Sequence, residues 1–148
     1  MIIDLTYHQT SEISIPTDPT ALKSVLAWFD QFRSAPIPHK TWMQCQLALI
    51  EGVTNAVRHA HAGLPAATPV RVTVDIQDDT VSMCIWDQGP GFDLTTVLKS
   101  KLTTDNREAD GGRGLKIMYL VADQLTYAPS PGQGNCLRLQ KTFTPPLT

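Results

Sequence analysis

Two neighbouring runs of alternating apolar and polar residues constrain the fold of this chain most strongly. The runs Val70–Ile76 and Thr80–Trp86 both alternate at a period of two, as strands with one buried face do. The short segment between them contains Asp78 and Asp79, which favour a tight turn. Strands so close in sequence pair as an antiparallel hairpin. The pattern therefore predicts a β-hairpin whose second strand ends at Asp87.

The segment Asp87–Phe92, which directly follows the predicted hairpin, has the composition of a ligand-binding turn. Its acid is followed by Gly89 and Gly91, which are separated by a single residue. Glycine has no Cβ, so a ligand can approach the backbone closely. The same composition occurs in ordinary turns, and the ligand interpretation therefore needs support from other segments.

The region before the hairpin predicts one strand and one helix. The first strand is expected over Ile2–Tyr7. Thr17 or Asp18 can cap the helix that follows, with Pro19 in its first turn. The apolar residues of this helix recur at helical spacing, namely Leu22, Val25, Leu26 and Phe29.

A second, longer helix is predicted over about 40–62. Apolar residues that recur every three or four positions mark its predicted core face, namely Met43, Leu47, Ile50, Val53 and Val57. Gly63 and Pro65 then end the helix. Two small residues, Gly52 and Ala56, are expected to leave room for a bulky group against its surface.

Beyond the hairpin, the polar segment over about 93–111 predicts a lid loop, with a short helix that begins at Leu94. Gly111–Gly114 leads into a helix over Leu115–Val121. The chain then continues with strands over Leu125–Tyr127 and Asn135–Gln140 and a loose tail over about 144–148. These elements predict a single α+β domain over 1–148, a two-layer α/β sandwich with a mixed, mostly antiparallel sheet and helices on one face.

Composition and charge exclude several classes of function. A chain of 148 residues with a net charge of −2 and no Lys/Arg block is a poor candidate for binding nucleic acid. No apolar run is long enough for a membrane span, and Met1–Asp4 does not resemble a signal peptide. Cys45, Cys84 and Cys136 are widely spaced and form no CxxC pair, which disfavours a zinc site or a disulfide framework. They are expected to be reduced, mostly buried thiols in a cytoplasmic protein.

A polar stripe runs along the second predicted helix. Glu51, Asn55 and His59 are spaced four residues apart, which places their side chains on one side of a helix. Carboxylate and amide oxygens are ligands that Mg²⁺ prefers. The stripe therefore indicates a magnesium ion that carries a nucleotide, against the alternative of a solvated helix face. His59 and His61 fit either a pH switch or ordinary residues beside the dipole of the helix end.

A second glycine-rich segment, Gly112-Arg113-Gly114, precedes a predicted helix. Backbone N–H groups at such a helix start face a phosphate favourably, although many glycine-rich starts are only caps. Arg113 and Lys116 could add cationic donors. The chain has no GxxxxGK[ST] segment, so it is not a P-loop protein.

Three segments in this order resemble a known superfamily. Glu51–Ala60, Asp87–Phe92 and Gly111–Met118 are similar to the N, G1 and G2 boxes of the GHKL ATPases. Within that superfamily, the chain most resembles the anti-sigma-factor serine/threonine-protein kinases of bacteria. The resemblance extends from about Ala21 to about Phe143, and the order and spacing of the three boxes make it specific.

The resemblance implies a Bergerat-type ATP-binding fold and a role for each box. Asp87 would accept a hydrogen bond from the adenine amino group, and Gly89 and Gly91 would admit the adenine and the sugar. Asn55 would bind the magnesium ion that bridges the phosphates. Glu51 would orient the attacking hydroxyl and accept its proton.

The G2 box and the lid would hold the phosphates. The resemblance implies that Gly112 and Gly114 present backbone donors to the phosphates beneath the lid. Some anti-sigma kinases have a lid arginine that reaches the terminal phosphate, and this sequence offers both Arg107 and Arg113 at that place. Asn135 occupies a position where the family often has Thr.

The function that the resemblance implies is an ATP-dependent serine/threonine kinase of a bacterial partner-switching system. It would phosphorylate a small antagonist protein, with sequestration of a sigma factor as a further role and a homodimer as the expected assembly. The alternative is an ATP-binding regulatory or docking module without kinase activity. The catalytic half of a histidine kinase is disfavoured, because only His8 and His39 precede Glu51 and neither lies on a predicted helix pair. A gyrase-like or chaperone-like ATPase would need additional domains.

Overall fold

The chain folds into one sheet that helices cover on one face. The computed structural model describes residues 7–103 and 112–146. The strands are β1 (His8–Ile15), β2 (Val70–Gln77), β3 (Thr80–Asp87), β4 (Gln124–Ser130) and β5 (Gly134–Thr142). They lie in the order β1-β2-β3-β5-β4, and every strand pairing within the described ranges is antiparallel. This architecture confirms the predicted two-layer α+β fold.

The second layer consists of helices. In the described part of the chain they are α1 (Leu22–Phe29), α2 (His39–Asn55), α3 (Leu94–Thr103) and α4 (Gly112–Val121). Short 3₁₀ turns flank α1, and a π-helical turn over Ala56–Ala60 continues α2 directly. Asp18 caps the turn before α1, because its carboxylate accepts a hydrogen bond from Thr20 N at 2.9 Å. No helix among these is long and apolar enough to cross a bilayer.

The predicted hairpin forms, and its alternation determines where the core lies. β2 and β3 pair with Val74 opposite Met83. The side chains that pack against the helices are Val70, Val72, Val74, Ile76, Val81, Met83, Ile85, Leu137 and Leu139. The alternate side chains lie on the other side of the sheet, here termed the open face: Arg71, Thr73, Cys84, Trp86, Cys136 and Arg138. This face is only partly buried because no helix of residues 7–103 and 112–146 packs on it.

The first strand of the described ranges is β1, which spans His8–Ile15 and is not predicted from the sequence. The strand predicted over Ile2–Tyr7 falls almost entirely on residues 1–6, which lie outside the described ranges. β1 is an edge strand, and its Ser11 accepts a hydrogen bond from Trp28 Nε1 at 2.9 Å. The hydrogen bond from Trp28 allows β1 to carry a polar residue at this position. The strand therefore lacks the apolar alternation from which a strand can be predicted.

The predicted core face of α2 is wrong in its first half. Met43 and Leu47 are 46% and 43% exposed. The buried side chains in this part of the helix are Trp42, Cys45, Ala48 and Leu49. Both sets recur at helical spacing, so periodicity alone does not distinguish the side that packs against the sheet, α1 and α4.

The downstream elements are close to their predicted positions. α3 begins at Leu94 as expected, and Leu94 and Leu98 anchor it in the core. The rest of the predicted lid, 104–111, and the last two residues of the predicted tail lie outside the described ranges. The last two predicted strands lie within β4 and β5.

Candidate functional site

α2 ends in a π-helical turn that breaks the predicted polar stripe. His61 N donates a hydrogen bond to Ala56 O at 2.9 Å, five residues earlier in the chain. The wider turn changes the direction of the side chains that follow Asn55. His59 is exposed, whereas His61 is only 1% exposed. The predicted stripe therefore retains Glu51 and Asn55 and does not extend to His59.

Glu51 lies beside the start of α4, and Asn55 lies one helical turn further along α2. A Cβ atom placed on Gly114 would lie 2.8 Å from Glu51 Oε2, which shows how closely the two helices approach. Asn55 is 6% exposed, yet its amide makes no side-chain hydrogen bond within the described ranges. The half-buried Glu51 carboxylate likewise has no hydrogen-bond or ion-pair partner among those residues. A buried amide normally has a partner, so this pair is available for a ligand.

The space beside Gly52 is not available for a ligand. A Cβ on Gly52 would lie 2.7 Å from Ile85 Cδ1 and 3.0 Å from Met118 Cε. Ala56 is 2% exposed and belongs to the same core. The expectation that these small residues leave room for a bulky group is therefore wrong, because side chains from β3 and α4 fill it.

Asp87 is the most heavily hydrogen-bonded acid of the site. It is 2% exposed at the end of β3. Its Oδ1 accepts from Gly89 N at 2.9 Å and from Asn135 Nδ2 at 3.0 Å, and its Oδ2 accepts from Tyr127 OH at 2.8 Å. Asn135 lies directly opposite Asp87 on β5 and also donates to Gly89 O at 3.0 Å. These donors hold the carboxylate in a single orientation.

Tyr127 also forms an aromatic wall beside the acid. Its ring stacks on Phe92, with centroids 4.1 Å apart and planes inclined by 17°. Burial, together with the hydrogen bond to and the charge of Asp87, raises the pKa of Tyr127 well above its ordinary value. The hydroxyl therefore stays protonated and remains a donor to the carboxylate.

His61 ties the Asp87 turn to the end of α2. Gln88 N donates to His61 Nε2 at 2.7 Å, while His61 Nδ1 lies 2.8 Å from Thr17 Oγ1. The Thr17 hydroxyl donates to Thr68 O at 2.6 Å, so it accepts from Nδ1, and the neutral ring carries its proton there. Burial lowers the pKa of His61, although the charge of Asp87 partly opposes this effect.

The two glycines of the turn are needed for different reasons. A Cβ on Gly89 would lie 2.2 Å from Ala60 O, so the backbone of the π-helical turn leaves no room for a side chain. Gly91 has a φ of +84°, a conformation that favours glycine. Contact within the protein thus explains Gly89 at least as well as the predicted contact with a ligand.

The start of α4 brings the second glycine-rich segment next to Glu51. Gly112 is its first residue, Arg113 is exposed, and Gly114 and Lys116 are half-buried. Arg107 lies outside the described ranges. The geometry therefore brings Glu51 to the start of α4, with Asn55 one turn further along α2 and Asp87 held near the end of that helical segment.

The sequence indicates neither the role of Tyr127 nor the buried position of His61. Tyr127 reaches Asp87 from β4 through a pairing with β5 that no local pattern encodes. The doublet of His59 and His61 was a signal, but a continuous α-helix would not have shown which ring turns inward. Asn135 was noted only as an unusual residue, and its pairing with Asp87 now explains it.

Comparison with known proteins identifies the family to which the chain belongs. The model of the histidine kinase-like ATPase domain family matches residues 15–141. An anti-sigma F factor of Pasteuria penetrans is 35% identical over 92 residues, which cover 62% of this chain and 61% of that protein. The serine-protein kinase RsbW of Staphylococcus aureus is 30% identical over 93 residues, covering 59% of this chain and 58% of that protein.

An anti-sigma F factor of Caldanaerobacter subterraneus subsp. tengcongensis is 28% identical over 95 residues, which cover 64% of this chain and 65% of that protein. The chain thus aligns with about three fifths of the length of these relatives. The family match is broader, since it includes all three glycine-rich and polar segments described above. The protein belongs to the family of histidine kinase-like ATPase domains.

Proposed function

We propose that the protein is an ATP-dependent serine/threonine-protein kinase of the anti-sigma-factor type. Relatives named anti-sigma F factor and serine-protein kinase support this proposal. The observation that carries it is the pair formed by Glu51 and Asn55, whose side chains have no hydrogen-bond partner within the described ranges. A protein that bound nucleotide only as a structural ligand would not need an available acid beside the start of α4.

Asp87 recognises the adenine base in this proposal. An ionised carboxylate has about four lone-pair directions, and protein donors engage three of them. The remaining direction, on Oδ2, accepts a hydrogen bond from the adenine amino group. A guanine base presents a carbonyl oxygen at the same place, which the carboxylate repels. The site is therefore selective for ATP over GTP.

The donor set fits a magnesium ion that arrives with the nucleotide. No group of three or more His, Cys, Asp or Glu side chains that could hold a metal ion occurs within 7–103 and 112–146. Magnesium commonly takes only one or two protein oxygens besides water and phosphate. The Asn55 amide oxygen supplies such a ligand. When bound, the ion neutralises charge on the phosphates.

The residues around the phosphates position the reactants. Glu51 accepts the proton of a serine or threonine hydroxyl while the hydroxyl oxygen bonds to the γ-phosphorus and the bond to the ADP oxygen breaks. The backbone amides of Gly112 and Gly114 face the phosphates at the start of α4. Arg113 and Lys116 add positive charge.

The substrate is a small antagonist protein of a bacterial partner-switching system, and the protein works in the cytoplasm. A sigma factor is a further partner, and a homodimer is the proposed assembly. The names of the relatives, anti-sigma F factor and serine-protein kinase, support the antagonist and the sigma factor as partners. The cytoplasmic location and the homodimer follow from the family resemblance alone.

Phosphate transfer tests the proposal directly. The full chain is incubated with magnesium, ATP labelled at the γ-phosphate and a panel of small antagonist proteins of partner-switching systems. We expect label on serine or threonine of one antagonist. Glu51→Ala should slow the transfer by at least about 100-fold, the scale of general-base catalysis. Its affinity for ATP should change by less than about threefold, because Glu51 does not contact the base in this proposal.

His59→Ala provides a matched control, since His59 is exposed on the same helical segment and has no proposed role. It should transfer phosphate as the wild type does. Binding of ATP without transfer to any antagonist would instead support the docking module. Equal transfer rates in Glu51→Ala and the wild type would contradict the role of Glu51.

A further inference from the structure

Strand pairing brings two cysteines together on the open face. Cys84 on β3 lies opposite Arg138 on β5, and Cys136 on β5 lies opposite Trp86 on β3. The two cysteines are therefore diagonal neighbours on the same face. Both are partly exposed, whereas Cys45 is buried in the core. The expectation of mostly buried thiols therefore holds fully for Cys45, while each thiol of this pair keeps some exposure.

The surroundings of the pair favour a thiolate. Thr73 lies directly opposite Cys84 on β2. The hydrogen bond with Cys136 contributes most to lowering the pKa of Cys84 to about 6; partial burial opposes it, and Thr73, Arg138 and Arg71 reinforce it. Burial instead raises the pKa of Cys45 to about 12. At neutral pH the reactive thiolate therefore forms more readily at Cys84 than at Cys45.

We propose that Cys84 and Cys136 form a redox modification site, in which a peroxide oxidises Cys84 and Cys136 closes a reversible disulfide between β3 and β5. The Cys84 thiolate attacks one peroxide oxygen, an S–O bond forms, the O–O bond breaks, and the departing oxygen takes up a proton. Cys136 then attacks the Cys84 sulfenic acid, and hydroxide leaves with the Cys136 proton as water. Two thiols are oxidised and one peroxide is reduced.

Closing this bridge requires a local movement of the sheet. Diagonal neighbours in an antiparallel pair have Cα atoms about 7–8 Å apart, against about 4.4–6.8 Å in most disulfides. β3 and β5 must therefore draw closer next to Asn135, which directly precedes Cys136 and donates to Asp87. A bridge under such strain is readily reduced, as suits a reversible modification rather than a structural one.

Peptide mapping of the full chain tests this site without any nucleotide. Trypsin separates the three cysteines into peptides 41–58, 72–99 and 117–138. After treatment with hydrogen peroxide and alkylation of the remaining thiols, mass spectrometry should find 72–99 linked to 117–138 within one chain. Dithiothreitol should release both peptides. Before oxidation, we expect Cys84 to alkylate at least about tenfold faster than Cys45, because it has more thiolate and is more exposed.

Three variants separate the roles of the cysteines. Cys45→Ser should form the same link at the wild-type rate. Cys136→Ser should accumulate a sulfenic acid on Cys84 that a cyclic 1,3-diketone traps, and Cys84→Ser should react with peroxide at least about tenfold more slowly. The proposal is overturned if the folded wild type yields no link between 72–99 and 117–138, or only a link between two chains. Equal alkylation of Cys84 and Cys45 would overturn the assigned nucleophile.

Discussion

At the scale of single residues, two buried polar side chains hold the turn after β3. Asp87 gathers donors from Gly89, Tyr127 and Asn135, while His61 accepts from the backbone of Gln88. Neither side chain can change its charge or hydrogen-bonding pattern without disturbing that turn. A substitution at either position therefore has a specific, measurable consequence.

The proposed contact between Asp87 and adenine predicts the effect of Asp87→Asn on ATP binding. A hydrogen bond to a charged group contributes about 1.5–3 kcal/mol, so the affinity for ATP should fall about tenfold to a hundredfold. Isothermal titration calorimetry in the presence of magnesium provides the measurement. Asp30→Asn makes the same change of charge at an exposed helix end and should bind ATP as the wild type does. An unchanged affinity in Asp87→Asn would show that the carboxylate does not recognise the base.

The buried His61 predicts a loss of stability in acid. Its pKa is lowered from the ordinary value of 6.5 in the folded chain, so below that pH the unfolded chain binds a proton that the folded chain does not. The free energy of unfolding should therefore fall as the pH drops below 6.5 and level off below the folded pKa. Urea unfolding at a series of pH values measures this slope.

Substitution of each histidine in turn shows which one causes the pH dependence of the free energy of unfolding. His61→Gln retains an acceptor for Gln88 N but no titrating ring, so this component of the slope should disappear. His59→Gln removes an exposed ring and should leave the slope unchanged. The same slope in His61→Gln as in the wild type would exclude His61 as its source.

At the scale of secondary-structure elements, the β4–β5 turn provides a matched pair of glycines. Gly132 and Gly134 have φ angles of +75° and +85°. A Cβ on Gly132 would meet nothing within 4 Å, whereas one on Gly134 would lie 2.1 Å from Asp87 O. Gly132→Ala should therefore cost about 1–2 kcal/mol for its backbone conformation alone. Gly134→Ala should lower the free energy of unfolding by more than about 4 kcal/mol, because the clash with Asp87 O adds to the cost of the backbone conformation.

Thermal or urea unfolding of the two glycine variants gives the comparison. Similar losses of stability would show that β5 can move away from Asp87, against the tight pairing of the two strand ends.

Substitutions on the two faces of α2 should have different effects on the stability of the protein. Leu47→Ser should change the free energy of unfolding by no more than about 0.5 kcal/mol, because Leu47 is exposed. Leu49→Ala should cost about 2–5 kcal/mol, because Leu49 is completely buried. Denaturant unfolding of both variants distinguishes the faces. A larger loss of stability for Leu47→Ser than for Leu49→Ala would show that the face predicted from the sequence is the one that packs in the core.

The elements with strong local patterns could be predicted, and those determined by tertiary contacts could not. The β2–β3 hairpin follows from its alternation, and the start of α3 at Leu94 follows from the change in pattern there. β1 was not predicted, because its sequence is largely polar, with Ser11 accepting a hydrogen bond from Trp28 of α1. The π-helical turn has no local signature, yet it decides that His61 turns inward and His59 outward.

At the scale of the whole molecule, the sheet order assembles the site from distant segments. Asp87 and Asn135 are hydrogen-bonded although they are 48 positions apart in the sequence, because β5 lies between β3 and β4. The three sequence boxes predict which residues form the proposed site. The strand order, which supplies Asn135 and Tyr127 to Asp87, could not be derived from them, since it depends on long-range pairing.

The most direct test of this account is calorimetric titration of the full chain with ATP and with GTP, each with and without magnesium. The account predicts saturable binding of ATP that weakens when magnesium is removed. It also predicts that GTP binds at least about tenfold more weakly, because the Asp87 carboxylate meets a carbonyl instead of an amino group. Absence of ATP binding at millimolar nucleotide, or equal affinity for ATP and GTP, would contradict the proposed nucleotide site.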